Sequence, residues 1–205
     1  MFRNLLLTLC VVFSVHSHAE IIDLGHLTQD TNTGLYWFDL DRTKGRSYND
    51  ILSNMGEGQV FEGYRYATAD EAQTLWINLG LTDGTNSNVS LGDTAQYNNF
   101  LNAVDLLGDT FSHRPGDTGI MAITSTFEWQ HSSGSPYHVV KSMYHLSGNT
   151  YVTGNTGSTS IDIKTDYLSS YLVSNTYSAA PVPVPASAWL FGSAIVGLAG
   201  FKRKR

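Results

Sequence analysis

Apolar and polar positions follow two rhythms along this chain, and the change between them falls near its middle. The first half is helical in period. Tyr48, Ile51, Leu52 and Met55 recur at i, i+3, i+4 and i+7 behind Ser47, with Asp50 near the third position, which predicts a capped helix stopped by Gly56. Ala72, Leu75, Trp76 and Leu79 repeat the stripe behind Thr68 and Glu71, which have capping-box spacing, and Gly80 follows the end. A third helix is expected over 94–107, with Tyr97, Leu101 and Val104 on one face and Gly108 as its stop. Residues 35–40 predict a short aromatic strand entered by a turn at 30–34, and residues 64–66 look strand-like. Residues 81–92, rich in Asn, Ser, Thr and Gly, read as a polar loop.

From Gly119 onward the period becomes two. Strand-like runs cover 120–129, 137–146, 150–153, 160–163 and 167–174, and Gly148 with Asn149 marks a hairpin between two of them. Helices early and strands late predict an α+β domain with helices packed on an antiparallel sheet. A parallel doubly wound sheet does not fit, because strands and helices do not alternate along the whole chain.

The two ends depart from both rhythms. Arg3, an apolar run over 5–15, and small residues at Ser17 and Ala19 have the order of a secretory signal peptide, predicted over 1–19. The exported domain is then 20–178. Residues 179–185 hold three prolines, which fix φ and disfavour helix in the residue before each, so the domain and the tail cannot share one helix. Residues 186–201 form an apolar stretch shorter than the roughly 20 residues of a comfortable membrane span, and four bases close the chain. Trp189 suits one membrane interface and the bases the cytoplasmic one, leaving the domain outside. Length and charge alone fit a permanent anchor as well.

Composition narrows the partners. The net charge is −6 and only 15% of residues are charged, with the clustered bases at the C-terminus, which argues against nucleic acid. Nineteen glycines and 12% aromatics suit an exported protein with many tight turns. The single cysteine, Cys10, lies in the predicted signal peptide, so the exported chain would hold together without a disulfide.

Taken together, the ends resemble the PEP-CTERM class of exported bacterial proteins. The specific part is Pro183, Val184 and Pro185, then Ala186, Ser187, Ala188, Trp189, Leu190, Phe191, Gly192 and Ser193, a glycine-punctuated apolar stretch, and Lys202, Arg203, Lys204 and Arg205. Val184 stands where the class name has Glu. The resemblance implies that 179–205 is a sorting signal, recognised by exosortase in the inner membrane and removed near the proline motif, in a bacterium that makes exopolysaccharide or biofilm matrix. A weaker resemblance covers the first third of the domain. The segments 33–40 and 47–50, followed by Gly63, Tyr64, Arg65, Tyr66, Ala67 and Thr68, are similar to patterns in C-type-lectin-like domains.

Chemical motifs are sparse. Asp117, Thr118 and Gly119 match an aspartic-protease tripeptide, but such sites need two aspartates sharing a proton, and a turn leading into a strand explains the triplet better. Asp30, Asn32 and Gly34, and Asp39 with Asp41, carry oxygen ligands of the kind calcium favours without the rest of an EF-hand loop, and turn chemistry accounts for them. His131, His138 and His145 are evenly spaced, but odd spacing on a strand sends neighbours to opposite faces. No nucleophile elbow, phosphate loop or dinucleotide fingerprint is present, and no cofactor is implied. Tyr36, Trp37, Trp76, Trp129, Tyr137 and Tyr144 are either core or members of a sugar-stacking platform, with Trp76 assigned to the core. The expectation is a non-enzymatic envelope or extracellular-matrix protein acting by adhesion or by binding exopolysaccharide. The competing expectation is a secreted hydrolase acting on matrix carbohydrate or peptide.

Overall fold

Two twisted sheets are built from segments that the chain visits out of order. The computed structural model describes residues 20–82, 88–112, 114–129, 136–149 and 151–177. The predicted signal peptide and all the sorting-signal positions, Pro183 to Arg205, lie outside the described residues.

The first sheet begins as an antiparallel meander of β1 (Ile21–Asp23), β2 (Leu27–Asp30) and β3 (Leu35–Phe38). A single turn of 3-10 helix, Leu40–Thr43, leads to α1 (Tyr48–Leu52), and β4 (Arg65–Tyr66) precedes α2 (Ala69–Asn78). The chain continues through β5 (Asn88–Ser90), α3 (Thr94–Leu107), β6 (Thr118–Trp129), β7 (Pro136–His145) and β8 (Tyr151–Thr159). It ends in the short β9 (Ser169–Ser170) and β10 (Leu172–Ser174). β10 returns between β3 and β4, with Val173 opposite Trp37 on one side and Arg65 on the other, giving the order β1-β2-β3-β10-β4. The second sheet has the order β5-β8-β7-β6-β9, in which only β6 and β9 run parallel. The architecture is mixed α+β.

The helices form where caps and stripes coincide. Thr68 Oγ1 accepts from the Glu71 amide at 3.1 Å while the Glu71 carboxylate accepts from the Thr68 amide at 2.8 Å, so the predicted capping box is complete. Glu71 also takes a two-pronged pair of bonds from Arg65 at 2.8 and 2.6 Å, and these bonds hold its carboxyl down at about 2. After α2 the chain turns at Gly80, where φ is +76° and an added Cβ would stand 2.7 Å from the Asn99 amide.

One large core joins the layers. Trp37 and Leu35 of β3, Ala72, Leu75 and Trp76 of α2, Phe100, Ala103 and Leu107 of α3, and Ile120, Ala122, Met143 and Val152 of the second sheet pack together. Trp76 Nε1 donates to the Tyr171 hydroxyl at 3.1 Å, which satisfies two polar groups at the centre of this core. Each such fully buried large side chain contributes roughly 1.5–3 kcal/mol, the source of stability expected for a domain without disulfides.

Several expectations need correction. The Ser47 cap is present, accepting from the Asp50 amide at 3.2 Å, and Tyr48 and Met55 pack against the cluster of buried Ile51, but the helix stops at Leu52, which is half exposed. In α3 the bounds are as expected, yet Leu101 is exposed and the buried face is Phe100, Ala103, Val104 and Leu107, with Tyr97 partly buried against it. Residues 160–163 form a turn instead of a strand, β8 runs to Thr159 instead of Thr153, and β5 lies within the expected polar loop. Strands β1 and β2 had no strong apolar alternation to announce them, and there are two sheets instead of one.

Candidate functional site

The second sheet has one face turned to the helices and another left to a crossing segment. Strand pairing fixes which residues share that outer face. Met121 lies opposite Ser142, and Ser142 opposite Asn155, so the three form one row across β6, β7 and β8. The next row is Ile123, Val140 and Gly157, and on the other side Gly119, Tyr144 and Thr153 align. Residues 160–168 cross over this face between β8 and β9. They are tied down at both ends: the Asn49 amide nitrogen donates to Ile161 O at 3.4 Å, Asn49 Nδ2 to Asp162 Oδ1 at 2.7 Å, and the Gly45 amide to Leu168 O at 3.2 Å.

Between the sheet face and the crossing segment is a cavity of about 220 Å³. Its floor is Met121, Ser142, Tyr144, Asn155 and Gly157, and its far wall includes Thr165 and Tyr167. The Tyr144 ring is backed by Phe111 at 4.6 Å between centroids, and Phe111 meets the Tyr167 ring edge-on at 6.1 Å. Phe111 is in turn placed by Asp109, whose carboxylate accepts from the Phe111 amide at 3.0 Å, the Gly119 amide at 3.1 Å and the Thr118 hydroxyl at 2.9 Å. Thr165 Oγ1 is buried and has no partner among the described residues. Asn155 is exposed where it lines the cavity. The lining holds hydroxyls, one amide, aromatic rings and methyls, and no charged side chain.

Sequence candidates divide around this cavity. Tyr144 lines it, whereas Trp37 and Trp76 are core and Tyr36 packs against Tyr177 at 5.7 Å. The side chains of Trp129 and Tyr137, and His131, lie outside the described residues. His138 and His145 do fall on opposite faces of β7: His138 is buried between Tyr48 and Phe127, with centroids 3.7 and 4.0 Å away, and His145 bonds Asn149 O at 3.1 Å. Asp117 ends a turn, its amide donating to Arg114 O at 2.9 Å, and its carboxylate accepts from the Ser147 amide at 2.8 Å, which braces the β7–β8 hairpin. Asp30 is engaged by Asn32 and Thr33 backbone amides and by the Asn78 side chain, as turn chemistry expects. Among the described residues no three His, Cys, Asp or Glu side chains converge as metal ligands.

Ser142, Asn155, Gly157, Thr165 and Tyr167 had not been singled out from the sequence. The signal that was available is in β8, where Gly154, Asn155 and Gly157 are poor strand formers inside a run paired to β7 along its length. Glycine inside a strand marks a place where something approaches closely. Comparison with protein-family models, with curated proteins and with solved structures finds no match to this chain.

Proposed function

We propose that this chain is a non-enzymatic protein of the bacterial envelope or extracellular matrix, sorted by exosortase through its C-terminal signal, that acts by binding exopolysaccharide. The observation that carries the binding reading is the cavity beside Tyr144 and Tyr167, lined by neutral hydrogen-bonding groups and aromatic rings. Concave sites with a few placed polar groups on a mostly apolar wall are what small ligands occupy. The same lining argues against the hydrolase alternative at this place: cleaving a glycosidic bond needs two carboxyl groups roughly 5–10 Å apart, and the lining supplies none.

The sorting reading rests on the sequence of residues 179–205. The lectin-like reading of the domain gains support from β3 and β4 lying on the two sides of β10, which brings two of the three segments carrying that resemblance into one sheet.

Purified protein should co-sediment with the matrix polysaccharide of its host, and the polymer should keep its length and its number of reducing ends. New reducing ends that disappear when one acidic pair is replaced would establish the hydrolase instead.

A further inference from the structure

Resting on that binding reading, we infer that the cavity seats a single uncharged pyranose unit of the polysaccharide, between Tyr144 and Tyr167, and excludes acidic sugars. The volume sets the size. At about 220 Å³ the cavity falls below the roughly 300–1,000 Å³ of sites for drug-sized ligands, so it takes one ring while the rest of the polymer runs over the surface. The lining sets the chemistry. A pyranose presents an apolar C–H face, which suits a tyrosine ring, and an edge of hydroxyls that both donate and accept. Ser142 and Asn155 offer matching groups.

Charge sets the selectivity. A carboxylate or sulfate seated here would give up part of its hydration and meet no cation in the lining, which is unfavourable. On the crossing segment, Asp162 and Asp166 are exposed on either side of Lys164, so that segment is negative on balance. All of the chain's acidic residues fall between Glu20 and Asp166, while Arg3 and the four terminal bases lie outside that stretch, so the field of the domain also repels anions.

Gly157 provides the room. It lines the cavity opposite Val140, its backbone is not in the left-handed region, and a Cβ built on it would meet nothing within 4 Å. A larger side chain there fills the cavity without strain on the strand.

The test is affinity retardation of the exported protein on immobilised neutral glucans, galactans and mannans, on alginate and polygalacturonate, and on the host matrix polysaccharide. The expected result is retention on the matrix polysaccharide and at least one neutral polymer, none on the two uronic polymers, and at least tenfold weaker retention for Gly157→Leu with its melting temperature unchanged. Asn155→Ala should weaken retention with its melting temperature unchanged, because it removes the one amide that lines the cavity. Retention on the uronic polymers as strong as on neutral ones, or retention by both variants equal to the parent, would overturn the inference. Equal binding of matrix polysaccharide by parent and variants would sink the seat alone; no binding by the parent would sink the polysaccharide reading with it.

Discussion

Gly119 of β6 lies directly opposite Tyr144 of β7, so close that a Cβ on Gly119 would stand 2.5 Å from the Tyr144 Cβ and 2.6 Å from Met143 O. The tyrosine that floors the cavity is therefore set by the absence of a side chain on the neighbouring strand. Because the close atoms belong to backbone and Cβ, they cannot swing aside. Gly119→Ala should destabilise the domain by roughly 1–3 kcal/mol, the usual scale of overpacking, and should displace the Tyr144 ring. Urea unfolding monitored by tyrosine fluorescence checks both.

His138 makes stability depend on pH. Its Nδ1 is 2.9 Å from Thr124 O, its Nε2 is buried without a partner, and Tyr48 and Phe127 cover its ring. Burial lowers its pKa, so the folded state prefers the neutral ring. That contribution is fully present above the unfolded value of about 6.5 and is lost as pH falls below it. Melting temperature should drop between pH 7 and pH 5 more steeply in the parent than in His138→Phe.

Asp39 acts in the opposite sense. Burial, reinforced by Asp41 and Asp23 and opposed by Arg42, pushes its carboxyl up to about 6, and Oδ1 has no partner. A raised carboxyl favours the folded state below the unfolded value of about 3.9, and the contribution is lost as pH rises through about 6. Asp39→Asn should therefore stabilise the domain at pH 7, by roughly 1–3 kcal/mol, and make little difference at pH 4. Paired denaturation curves at the two pH values decide it.

The sorting reading has its own readout. Intact-mass analysis of protein taken from the cell surface or matrix should show a chain that lacks residues 1–19 and everything after about Pro185. A full-length C-terminus in that fraction would rule out processing at the proline motif.

Local chemistry made the helices legible and distance hid the site. The Thr68–Glu71 box and the stops at Gly80 and Gly108 act within a few residues, so their ranges could be read directly. Tyr97, Leu101 and Val104 fit one helical stripe as well as Phe100, Ala103, Val104 and Leu107 do; which face turned inward was decided by the second sheet, which no local window contains. The insertion of β10 between β3 and β4 joins residues more than a hundred positions apart. The cavity combines β6, β7 and β8 with residues 160–168, and of its members only Tyr144 carried a side chain that drew notice in isolation. Gly157 matters through the space it leaves, which the sequence reports only as a glycine in an unfavourable place.

Hydrogen exchange of the exported protein, with and without its host's matrix polysaccharide, reads out the cavity itself. Exchange in residues 160–168 and the adjoining part of β8 should slow when polysaccharide is present, with the first sheet unaffected. Unchanged exchange around the cavity, or protection confined to β1–β4, would contradict binding there.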